Sequence, residues 1–393
     1  MLISGENPYS HAPLDLKGLT PAISALIPLV NHPDLPTIYP PAAQIVFAAG
    51  TLAGELLSIL AGMASGLMEI TSALAEIESG AMDLKFLLTG MKLLLIVMDM
   101  ASCVLIIEIL KKMRVPLCRA TIYAWHPLPV LEIGSSGHID SAAIFFLLMA
   151  IYVALIPEIR RGYWLSVLTL AGLLSGIFMG LSVLTKWMPL IFFPGLLFLL
   201  RCGRNRIAAT GGLTAVTGVL VTLFWPDIVN SLNTLSHYLQ NWEFSGFLFR
   251  MVRGGIDGHV AQSGAAARII IAVGFLYLAC KIVFRLLKDH TLQAVMRSLF
   301  LVTLAWLILT PTLYPWYSLY LVAFLPFYLN SAGITLSWSV LLSYQVLISY
   351  RISGQWIEGG ITPLMIIAAP AAASVGQLLC HRDGTKKQSL FLR

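Results

Sequence analysis

The strongest constraint on this chain is a succession of long apolar runs with few charges inside them. They lie at about 86–110, 119–133, 141–157, 163–183, 186–200, 207–225, 268–284, 297–312, 316–330, 333–350 and 361–380. A helix crosses the hydrocarbon core of a bilayer in about 20 apolar residues. In lipid the backbone must also satisfy its own hydrogen bonds, which helices do within one segment. The runs therefore predict an all-α, polytopic membrane protein with about 11 transmembrane helices. Composition agrees, with 58% hydrophobic residues, 11% charged residues and a mean hydropathy of +0.83. Soluble domains carry about 25% charged residues. The two-residue alternation of a membrane barrel is absent.

Most of the 25 Lys and Arg residues fall in five clusters: 111–119, 158–161, 201–206, 281–297 and the tail from Arg382. Such clusters mark cytoplasmic loops. Alternating the eleven spans places all five on that side, in the cytoplasmic (inner) membrane, with the C-terminus cytoplasmic. The outer side then receives 134–140, the turn at Thr185–Lys186, the loop 226–267, the turn 312–317 and the turn 351–360. The net charge of +6 is read through this asymmetry and does not indicate nucleic acid.

Three regions follow. Residues 1–85 form an external loop and an interfacial or re-entrant segment, residues 86–380 the transmembrane domain, and residues 381–393 a cytoplasmic tail. The run 41–66 is kept from crossing because Pro40 and Pro41 break the chain before it and Glu55 interrupts it. This topology starts the N-terminus outside with nothing upstream to carry it there. The alternative is that 41–66 crosses and one later span is misread. No secretory signal is visible in 1–38. The five cysteines are scattered and read as small buried apolar residues or reduced thiols.

Chemistry-bearing residues gather on the outer side. "LEIGSSGHID" brings Glu132, His138 and Asp140 to the mouth of a span, where a carboxylate and an imidazole bind a sugar or phosphate or move a proton. The plainer reading is a Gly-Ser turn with Asp140 or Ser141 as a helix cap. Lys186, in "TKWMP", could hold an anionic lipid phosphate or snorkel beside Trp187. In 226–267, Arg250 and Arg253 could clamp a phosphate, while the aromatics there and in "TLYPWY" stack on sugars or form an interfacial belt. Lys92 and Asp99 share one face of the 86–110 helix and read as contacts to neighbouring helices. No Walker, dinucleotide or zinc motif occurs.

Taken in order, "GENPY" (5–9), "YPP" (39–41), the basic turn 111–114, "YAWHPLPVLEIGSSGHID" (123–140), "KWMP" (186–189) and "PWY" (315–317) resemble the C superfamily of integral-membrane glycosyltransferases (GT-C fold). The likeness is to mannosyltransferases that use polyprenyl-phosphate mannose. The resemblance implies transfer of a hexose from a polyprenyl-phosphate sugar donor to a glycan, lipid or protein acceptor on the outer face, within membrane lipid. It also implies a catalytic Asp in a first external loop shortly before the "GENPY" stretch. The sequence begins at Met1, four residues before Gly5, so the resemblance implies N-terminal truncation; Glu6 and Asp15 are the nearest carboxylates. Catalytic candidates here are Asp140, His138 and Glu132. The candidate binding residues are Lys186, Arg250 and Arg253 at the phosphate, Tyr39 and Trp316 as walls, and Asn7 and Tyr9 in the N-terminal loop. A divalent metal is possible. Two rivals stand beside this reading: a secondary transporter, and an inactive GT-C-like assembly protein.

Overall fold

The computed structural model describes residues 1–18, 24, 26–64, 84–156, 164–200 and 202–391, with the side chains of Ser4, 164–169 and 378–391 outside the description. The basic stretch 158–161, Arg201, the side chains of the C-terminal tail and residues 65–66 of the run 41–66 lie outside it too. Among the described residues all regular structure is helical, and isolated bridges join Phe244 and Ser245 to Thr312.

Six helices are long and apolar enough to cross a membrane, or seven if one bent pair is a single span, among the described residues. The expected count of eleven spans is not confirmed among them. The difference comes from breaks that hydropathy does not register. The run 119–133 is no span: it divides into Leu117–Ala120, Thr121–Ala124 and a π-helical turn at Pro129–Ser135. Pro127 and Pro129 lack the N–H that a continuous helix needs. The run 316–330 is likewise short, with a 3-10 turn at Pro315–Ser318 and a six-residue helix at Leu319–Phe324. By contrast, 41–66 holds an unbroken helix, α1 (Pro41–Ala64), with Pro at its first position and Glu55 within it. It has the length and composition of a span.

The next helix, α2 (Leu84–Met113), ends through Arg114 at φ 56° with Pro116 just beyond. That is a left-handed exit followed by a residue that cannot resume the helix. Helix α3 (Asp140–Ala154) follows the π turn at a bend of 115°. After it come α4 (Trp164–Thr185), a broken segment Met188–Leu199, α5 (Gly203–Leu223) and α6 (Val229–Asn241). The loop expected at 226–267 is thus largely helical, since α7 (Phe247–Ile256) also lies in it. The chain closes with α8 (Ser263–Phe284), α9 (Leu292–Leu309), α10 (Ser331–Ser339), α11 (Gln345–Ser353) and α12 (Thr362–Phe391). Helix α12 continues through the residues expected to be a tail.

Packing divides the chain into two units: Met1–Glu108 with Pro129–Asn241, and Ile109–Leu128 with Trp242–Arg393. In the first, α3 is apolar on all sides and buried along its length. Serine hydroxyls tie it to its neighbours: Ser175 Oγ donates to the Ala150 carbonyl at 2.9 Å, Ser182 Oγ to Ala143 at 2.7 Å, and Ser141 Oγ to Leu95 at 2.7 Å. Gly172, Gly176 and Gly180 recur every four residues on α4 and face α5. A Cβ on Gly176 would stand 1.9 Å from the Ala209 carbonyl oxygen. Association in lipid lacks a hydrophobic drive, so close backbone approach through small residues does that work.

Candidate functional site

The first unit collects five of the sequence-predicted site residues into two polar groups. The π turn Pro129–Ser135 turns Glu132 inward, to 1% side-chain exposure, and its carboxylate lies 3.2 Å from His138 Nε2. π turns are rare and recur at functional sites. Gly137, at φ 75°, reverses the chain between them, and a Cβ there would come 3.3 Å from Lys92 Cγ. Lys92 therefore lies against this loop. Burial pushes the His138 imidazole, in the loop before α3, down to about 4; Lys186 adds to the shift and Asp140 opposes it.

Asp140 opens α3 and is fully buried. Lys186 Nζ, one residue past the end of α4, donates to both of its carboxylate oxygens at 2.8 and 2.7 Å. The lysine side chain keeps 16% exposure against 0% for the aspartate, so the cation forms the outer half of the pair. Tyr39, just before α1, is near enough that Asp140 and Tyr238 add to burial in pushing its phenol up to about 12. Its ring packs edge-on against Phe47 at 5.4 Å.

Asn7 and Tyr9 have partners inside the protein. Asn7 Nδ2 and Ser10 Oγ donate to Asp227 Oδ2 at 2.9 and 2.6 Å. Asn230 Nδ2 donates to the Tyr9 carbonyl at 2.8 Å, and Tyr9 OH to the Tyr39 carbonyl at 2.8 Å. Tyr9 is fully buried against Phe224. The "NPY" stretch is a clasp on the segment before α6 that holds the backbone of Tyr39, with the Tyr9 ring packed inside the protein. Asp227, its anchor, carries no signal in the sequence beyond standing in "WPD".

The second unit holds Arg250, Arg253 and Trp316. Arg250, on α7, pairs with Glu358, which also accepts from Ser245 N at 2.8 Å and Ser245 Oγ at 2.7 Å. Glu358 was not singled out in the sequence: it stands in a Gly-rich turn 108 residues from its partner. Arg253 Nη1 lies 2.6 and 2.7 Å from the two oxygens of Glu243, and Arg268 reaches the same carboxylate at 3.4 Å. Trp316 stacks on Tyr314 at 4.3 Å and 10°, and Tyr314 on Phe244 at 4.6 Å and 19°. In the same unit His126 is buried, accepting from Leu128 N at Nδ1 (3.2 Å) and lying 3.0 Å from Ser337 Oγ at Nε2. That fixes Nε2 as the protonated nitrogen and the ring as a structural brace. Among the described residues, no three His, Cys, Asp or Glu side chains gather as a metal site would require.

The chain is 24% identical over 265 residues to a protein from Kluyveromyces lactis named GPI mannosyltransferase 1. The match covers 63% of this chain and 61% of that relative, so the chain spans under two thirds of the relative's length. No family model matches, and no solved structure matches. With its repeated helices of spanning length, the chain is an integral, multi-pass membrane protein.

Proposed function

We propose that this chain is a membrane glycosyltransferase that moves a hexose, mannose by its similarity to a mannosyltransferase, from a polyprenyl-phosphate sugar to a glycan, lipid or protein acceptor on the outer face of the membrane. The observation that carries the reading is the Asp140–Lys186 pair beside the Glu132–His138 pair. An enclosed carboxylate fixes an exposed-side ammonium, and an imidazole beside a second carboxylate stands two residues away. The similarity to a transferase supports this reading over a transporter or an assembly protein.

The chemistry asks little more of the chain. The bond from the anomeric carbon to the phosphate oxygen breaks, and a bond from that carbon to the acceptor oxygen forms. The acceptor hydroxyl proton passes to the His138–Glu132 pair, the carboxylate orienting the ring and stabilising the imidazolium that forms. The departing lipid phosphate takes the electron pair and is stabilised by Lys186. Asp140, doubly bonded by an ammonium and fully enclosed, is a poor base; it positions the lysine. Tyr39 walls the site, and the apolar faces of the helices admit the prenyl chain. A divalent ion would add charge at the phosphate, and no step here is routed through one.

The test uses the full chain in lipid nanodiscs with radiolabelled polyprenyl-phosphate mannose and a panel of glycan acceptors. Sugar transfer is expected, with a loss on the order of a hundredfold or more in His138→Ala. A wild-type chain that transfers nothing, or a His138→Ala chain at full rate, overturns the proposal.

A further inference from the structure

Helix α6 takes no part in the transfer chemistry, and its surface is divided three ways. Helix positions three, four and seven apart share a face. Ser231, Thr234 and Tyr238 therefore make one stripe, Leu232, Leu235 and Leu239 a second, and Asn233, His237 and Gln240 a third. The first stripe faces the protein. Ser231 is buried, Tyr238 is half-buried, and Thr234 Oγ1 donates to the Pro36 carbonyl at 3.2 Å. The second is apolar yet open, with Leu232 48% and Leu239 57% exposed. The third is polar and exposed along its length.

No single solvent suits both open stripes. In water the leucines would be exposed. Sunk in hydrocarbon, the helix would carry two amides and an imidazole into lipid. Nor does α6 cross: its 13 residues reach about 20 Å, short of a core about 30 Å thick. A helix lying along the boundary meets all three demands, with one stripe on protein, one in acyl chains and one in water.

The chain before α6 fixes the level. Helix α5 has the length and composition of a span, and its exposed Val219 and Leu223 share one face. Trp225, just past its end, is exposed as well, and tryptophan is enriched at headgroup depth. Ile228 N donates to the Phe224 carbonyl at 3.0 Å and Val229 N to the Pro226 carbonyl at 3.2 Å. One tight turn thus separates the end of α5 from the start of α6, and the leucine stripe begins where the span ends.

We infer that α6 is an interfacial helix, lying along the membrane surface with Leu232, Leu235 and Leu239 among the acyl chains of bilayer lipid. Its inner side sets the height of the N-terminal segment. Thr234 holds Pro36, Asn230 holds the Tyr9 carbonyl, and Tyr9 OH holds the Tyr39 carbonyl. Tyr39 is thereby kept at headgroup depth. The transferase reading enters only as the use of that depth, since a polyprenyl phosphate floats with its phosphate there.

The test is mass-spectrometric footprinting of the full chain in phosphatidylcholine nanodiscs. One probe is a phosphatidylcholine bearing a diazirine on a shallow acyl carbon; the other is hydroxyl radical generated in the water. Carbene adducts are expected at Leu232 and Leu239, severalfold above Asn233 and Gln240, while radicals oxidise His237 and spare both leucines. Leu232→Asp combined with Leu239→Asp should cut adducts on 229–241 severalfold, and Asn233→Asp combined with Gln240→Glu should leave them unchanged. The wild-type pattern decides alone should the leucine variant not fold. Leucines without adducts overturn the inference, whether water oxidises them or a second copy of the chain covers them. Equal adducts on the leucine and amide stripes, or full labelling of the leucine variant, overturn it too. A chain with the expected pattern that moves no mannose from polyprenyl phosphate loses the transferase reading and keeps this one; a transferring chain without the pattern does the reverse.

Discussion

The two units each hold a carboxylate–cation pair of nearly the same shape. In the first, Lys186 meets Asp140 at 2.8 and 2.7 Å; in the second, Arg253 meets Glu243 at 2.6 and 2.7 Å. Their surroundings differ. Asp140 is sealed beneath its lysine, while both members of the other pair reach solvent. Distance therefore says little about what either pair contributes. Taking a charge from water is expensive unless a partner is held against it, so the sealed pair is one the fold depends on. At the exposed pair, water and salt replace whichever partner is lost.

Three substitutions test the contrast, the largest effect first. Lys186→Ala leaves an uncompensated carboxylate in the interior and should destabilise by about 3–5 kcal/mol, seen as the largest drop in melting temperature in detergent. Lys186→Met combined with Asp140→Leu should recover most of that stability and none of the transfer activity. A Lys186→Ala protein that melts with the wild type would erase the distinction between the pairs. Glu358→Ala comes next. It removes the shared acceptor of Ser245 N, Ser245 Oγ and Arg250 and should cost about 1–3 kcal/mol, read as faster amide exchange at Ser245. Arg253→Ala is the smallest, at under about 1 kcal/mol. Its effect should shrink further at high salt, and a salt-independent loss of several degrees would show the pair to be sealed in solution.

The site was partly visible before folding. Glu132, His138, Asp140 and Lys186 drew notice because ionisable groups beside apolar runs are costly unless paired or used. The structure brings Asp140 to Lys186 and Glu132 to His138. Asn7 and Tyr9 were singled out through the "GENPY" stretch, yet the partner of Asn7, Asp227, is 220 residues away, and nothing local names it. Glu358 escaped notice because a glutamate between a tryptophan and two glycines reads as a surface turn. The count of eleven spans went unconfirmed for a different reason. Hydropathy averages over a window, and the prolines of 126–130 and 314–316 break helices without lowering the average.

Composition and the spacing of apolar runs settled that the chain is helical and belongs in a bilayer, because every backbone group in lipid must be bonded within its own segment. Those properties are local. The pairing of each cation with its carboxylate is not. It depends on how α3 and α4 are rotated about their axes, on the π turn that swings Glu132 inward, and on glycines that let α4 and α5 touch. Partners 46 residues apart, like Asp140 and Lys186, meet only once those helices have packed.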